Sequence, residues 1–84
     1  MIFADKTQFT SDPIPLQYQF ATEAYVTVTG PGPVYIELYE EDGQWRRFPE
    51  LTLYGPTAQR VDLPRGEFRV VVDAPAPTTV GVRV

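Results

Sequence analysis

Apolar residues recur at every second position along most of this chain, and helical spacing is almost absent. In AYVTVT, Val26 and Val28 fall on one side and Tyr25, Thr27 and Thr29 on the other. In PVYIELYE, Val34, Ile36 and Leu38 alternate with Tyr35, Glu37 and Tyr39. LQYQFA, QWRRF, LTLY, TAQRVDL, EFRVVVDA and TTVGVRV repeat the rhythm with residues that suit a pleated, half-buried surface. Turn signals separate these segments at about the 8 to 12 residue spacing of sandwiches and small barrels. The pattern predicts an all-β fold: a small antiparallel β-sandwich or jelly-roll-like domain of seven to eight strands. It divides into an extended N-terminal arm over 1–15, where Pro13 and Pro15 interrupt any strand, and a single β-domain over 16–84.

The punctuation supports that division. GPGP, Gly30 to Pro33, stops a ladder because proline has no amide donor and glycine supplies unusual backbone angles. Asp42-Gly43 predicts a type I′ hairpin turn, with positive φ at both residues. GP at 55–56, PRG at 64–66 and APAP at 74–77 are the remaining breaks. The inward list is then Phe20, Val26, Val28, Ile36, Leu38, Leu51, Leu53, Val61, Leu63, Phe68, Val70, Val72, Val80 and Val82. A one-residue slip at GPGP or LPRG would exchange the two faces.

Composition narrows the chemistry. Eighty-four residues hold one small domain, with neither Cys nor His. Disulfides, thiolate chemistry, Cys/His zinc sites and imidazole catalysis are excluded together. Marginal small domains then lean on association with other chains. Eleven acids against seven bases give a net charge of -4, which disfavours a phosphate backbone as partner. No run approaches the roughly 18 to 20 apolar residues of a membrane span, and the start lacks a basic region followed by an apolar stretch. A soluble chain without a secretion signal is expected.

Candidate catalytic sets are poor. Glu40, Glu41 and Asp42 lack the alternate ligand spacing of an EF-hand-type calcium loop and read as a solvated hairpin tip. Glu37 with Glu50 or Glu67 would need a cleft to act as a glycosidase pair. Ser11 has no histidine to activate it, and GPGP lacks the lysine of a phosphate loop. The expectation is no enzyme, no cofactor, no metal and no catalytic residue.

The aromatic set carries more. Tyr25, Tyr35 and Tyr39 fall opposite the valines and leucines, and Trp45 follows across the hairpin. Tyrosine, tryptophan and arginine are enriched at protein interfaces; the same rings pair across strands to stabilise a sheet, or stack on sugars. Arg46 and Arg47 point to opposite faces, one of them within reach of Glu37 or Glu41, while Arg60, Arg65, Arg69 and Arg83 are scattered along later strands. The candidate contact residues are Tyr25, Tyr35, Tyr39, Trp45 and Arg47, with Phe3 and Phe9 on an arm, Met1 to Phe9, that adds a strand to a neighbour or wraps it.

The order AYVTVTGPGPVYIELYEEDGQWRRF, LTLYG, VDLPRGEFRVVVDA, TTVGVRV resembles small β-sandwich virion proteins of tailed bacteriophages over about residues 20–84. EDGQW and GEFRVVV carry most of the likeness. The resemblance implies a structural role in the virion after assembly in the host cytoplasm, as a capsid decoration or cement protein or a head-fibre or tail subunit. It also implies a homo-oligomer, dimer or trimer, bound to the major capsid protein or another virion protein. Beside longer members, no C-terminal receptor-binding or immunoglobulin-like extension is expected here, and that expectation favours shell binding over host adhesion. The alternative is a small carbohydrate-binding module stacking sugars on Tyr35, Tyr39 and Trp45.

Overall fold

The computed structural model describes residues 1–16 and 21–84. The described residues form seven strands and no helix: β1 (Ile2–Thr10), β2 (Ile14–Leu16), β3 (Thr22–Thr29), β4 (Val34–Tyr39), β5 (Trp45–Leu53), β6 (Thr57–Leu63) and β7 (Gly66–Arg83). The all-β class and antiparallel pairing are as expected. In place of two stacked sheets, the strands join in one curled sheet, a half-barrel, in the order β5-β4-β7-β3-β6, with β1 and β2 also on β7. The expected strand LQYQFA and its Phe20 fall mostly outside the described residues, with Leu16 ending β2.

The curl has a local cause. β4 and β3 both pair with β7, Leu38↔Phe68 to Val34↔Val72 in one stretch and Thr29↔Thr79 to Tyr25↔Arg83 in the other. Gly30 to Pro33 therefore turns the corner beside residues 73–78 of β7, and Gly55-Pro56 turns it again between β5 and β6. The crossings are tied together: Gly32 N donates to Thr78 Oγ1 at 3.3 Å, Gly55 N to the Pro31 carbonyl at 3.0 Å, and Asp73 N to the Pro33 carbonyl at 3.2 Å. A Cβ on Gly55 would lie 2.0 Å from the Gly30 carbonyl oxygen, so only glycine lets the two backbones approach this closely.

APAP does not end a strand, as expected from the sequence, but bends one. β7 runs through it for 18 residues. β1 crosses the bend with Lys6↔Thr78 followed by Gln8↔Asp73, so residues 74–77 of β7 face Thr7 alone. Prolines are tolerated in this bulge because no ladder bond is required of them. Pro15 likewise sits in the short outer strand β2 and does not break it.

Segment 1–15, expected as an arm, lies along β7 of its own chain through β1 and β2. Its Ser11 hydroxyl accepts from Val70 N at 2.9 Å, and Ser11 N donates to the Val70 carbonyl at 2.8 Å.

Alternation then fills the concave side. Every described residue on the inward list is buried except half-buried Leu38, and Leu16, Ala24, Val34 and Ala74 join them. Phe68, Ile36, Val70, Val72 and Val80 are wholly enclosed, each side chain stabilising the fold by roughly 1.5 to 3 kcal/mol before entropy is subtracted. Thr78 is a wholly buried polar residue of this interior, and its hydroxyl also donates to the Ala76 carbonyl.

Candidate interaction surface

The outer face of β5, β4 and β7 carries a side-chain grid set by register. Tyr39 pairs with Trp45, Glu37 with Arg47 on one side and Arg69 on the other, and Tyr35 with Thr52 and Val71. Alternation places Glu37 outside, as expected, yet only 5% of it is exposed because its neighbours close over it. Arg47 Nε donates to Glu37 Oε2 and Arg69 Nε to Glu37 Oε1, each at 2.6 Å. Burial acts to raise the Glu37 carboxyl, but the hydrogen bonds and charges of Arg47 and Arg69 outweigh it and hold the group below its ordinary value.

Each guanidinium is held a second time by a ring. Arg47 lies over Tyr35 at 3.9 Å from its centroid and Arg69 over Trp45 at 4.5 Å. Trp45 in turn meets Tyr39 at 5.1 Å and 58°. The result is a continuous patch, Tyr35-Arg47-Glu37-Arg69-Trp45-Tyr39, pinned at its centre by one carboxylate. Three of the nominated contact residues on this face stand as aromatics in the patch, and Arg47 is the fourth.

Glu37 as the hub and Arg69 as the second arginine escaped sequence reasoning. Arg69 reads there as one of several scattered cations, since nothing local states that β7 lies beside β4. Arg46 points the other way and pairs with Asp42. That bond, with the Gln44 amide, lowers the Asp42 carboxyl.

The hairpin beside the patch departs from the expected type I′ turn. Gly43 N donates to the Glu40 carbonyl and Glu40 N to the Gln44 carbonyl, while positive φ falls on Gly43 (79°) and not on Asp42. This is a three-residue loop, a type I turn closed by a glycine bulge. Asp42 Oδ1 accepts from Gln44 N and so favours this form.

The other nominated residues lie elsewhere. Tyr25, on β3 across the corner from Tyr35, faces Arg83 at 5.0 Å, beside an Arg60–Glu23 ion pair at 3.2 Å. Phe3 and Phe9 meet each other at 5.3 Å and pack half-buried against the chain's own core, with Lys6 Nζ over the Phe9 ring. Among the described residues, no group of three or more Asp and Glu is placed to hold a metal ion.

Fold and surface together define the class: an all-β half-barrel whose outer face bears an aromatic patch stapled by an arginine–glutamate–arginine bridge. Comparison with known protein families, curated proteins and solved structures finds no match.

Proposed function

We propose that this chain is a non-enzymatic structural protein that docks on a protein surface through the patch from Tyr35 to Tyr39. One observation carries the reading: Glu37 fixes two guanidinium groups, each lying on an aromatic ring, on the exposed side of the sheet. Interfaces are enriched in arginine, tyrosine and tryptophan, and side chains already immobilised lose little entropy on binding. Tyr39 remains 45% exposed beside the bridge, available as an anchor.

The setting we propose is a tailed-phage virion, on the resemblance of EDGQW and GEFRVVV. There the chain acts as a capsid decoration or cement subunit or a head-fibre subunit, forms a dimer or trimer, and has the major capsid protein or another virion protein as partner. Sugar stacking is less well supported, because Tyr39 and Trp45 are 58° from coplanar and guanidinium groups occupy one face of Tyr35 and of Trp45.

Light scattering on a sizing column tests the reading, with Tyr39→Ala and Trp45→Ala beside the parent chain. The expected result is a defined dimer or trimer that falls to monomer in the variants. A monomer unchanged by either substitution would overturn the self-association. Co-sedimentation with tailed-phage capsids stripped of decoration protein tests the setting: pelleting supports it, and a chain left wholly in the supernatant counts against it.

A further inference from the structure

We infer that Arg47 and Arg69 together form a receptor for one carboxylate of the docked partner, supplied by an aspartate or glutamate on an acidic segment of that protein. The inference rests on the docking reading above and specifies its chemistry. Each guanidinium spends its Nε on Glu37, and among the described residues neither makes a further side-chain hydrogen bond. The Nη groups, the donors that form a planar fork, are left over. Both side chains reach the surface, Arg47 at 48% exposure and Arg69 at 28%.

The charge count points the same way. Two guanidinium groups around one carboxylate leave the trio at +1, and a second carboxylate completes the balance. A planar carboxylate matches the two-pronged donor pattern of arginine, and the rings beneath hold both forks in place before it arrives. Exposed Glu67 precedes Arg69 by two residues on the same face, so the more exposed Arg47 is the side of approach. The chain as a whole carries -4 and repels an acidic segment at long range, so its attraction is confined to contact with these two guanidinium groups.

The test titrates the intact chain at low salt with a capped tri-glutamate peptide and with its tri-glutamine counterpart. The arginine Nε–H resonances and Trp45 fluorescence are followed. The glutamate peptide is expected to shift the Arg47 and Arg69 resonances and the Trp45 emission along one saturating curve, while the glutamine peptide leaves them unmoved. Arg47→Gln should weaken the curve about tenfold or more, Arg69→Lys should weaken it while keeping its charge, and Arg65→Gln should change nothing.

Equal responses to both peptides, or shifts at Arg60, Arg65 and Arg83 without Arg47 and Arg69, would overturn the proposal, and this mapping needs only the parent chain. Saturation by galacturonate oligomers with none by the peptide would overturn it in favour of an acidic glycan. The two ideas fail separately: a working titration on a chain that neither self-associates nor pellets with capsids removes the docking reading and keeps the carboxylate site. An oligomer lost in Trp45→Ala beside a silent titration does the reverse.

Discussion

Replacing Glu37 by glutamine keeps the size of the side chain and removes the charge that joins β5, β4 and β7 on the outer face. A glutamine oxygen accepts from one arginine, and its amide then turns two donors toward the other, which leaves Arg47 and Arg69 without the charge between them. Deleting a hydrogen bond to a charged group costs about 1.5 to 3 kcal/mol when the group is enclosed. Arg69 is 28% exposed and approaches that range, whereas Arg47 at 48% shares its charge with water and contributes less. The expected loss is about 2 kcal/mol near neutral pH, or roughly 8 to 16 °C in Tm for a domain of this size. Urea unfolding followed by Trp45 fluorescence measures it.

The pH profile supplies a second reading of the same substitution. The folded Glu37 carboxyl lies below its ordinary value of 4.5, so its contribution is complete above that pH. It is lost as pH falls through the lowered folded value. The gap between parent and Glu37→Gln should therefore close in acid. A variant within about 0.5 kcal/mol of the parent near neutrality, or a gap that persists undiminished in strong acid, would refute the account of Glu37 as the hub.

Other substitutions probe the corner and the core. Gly55→Ala drives a methyl into the Gly30 backbone and is expected to prevent folding, visible as loss of the far-UV β signal; Gly81→Ala, whose Cβ meets nothing nearer than 4.0 Å, should stay within about 1 kcal/mol of the parent in urea. Thr78→Val strips the buried hydroxyl from the Gly32 amide and should cost about 1 to 3 kcal/mol by chemical denaturation. Phe68→Ala empties the wholly enclosed centre of β7 and should cost about 3 to 5 kcal/mol, enough to leave so small a domain largely unfolded in a thermal scan.

What could be read from sequence is what the backbone encodes over a few residues. Side chains alternate along a strand, so the inward run from Val26 to Val82 and the outward tyrosines follow from spacing alone. Gly43 announces a hairpin for the same local reason, and the pairing of Arg47 with Glu37 is within reach because one tight turn joins their strands. The turn's class was less legible, since it depends on whether Asp42 or the bulge glycine absorbs the twist.

Tertiary structure decided the rest, wherever the outcome depends on which distant strands become neighbours. Alternation says that Arg69 points outward, but only the β4–β7 register sets it opposite Glu37, 32 residues away, and so makes a lone cation half of a bridge. It likewise turned 1–15 back along β7 and carried β7 through two prolines. The corner at Gly30, Gly55 and Ala74–Pro77 is the physical reason: separate turn signals in the chain, they meet at one bend, and that meeting curls a single sheet over its own core.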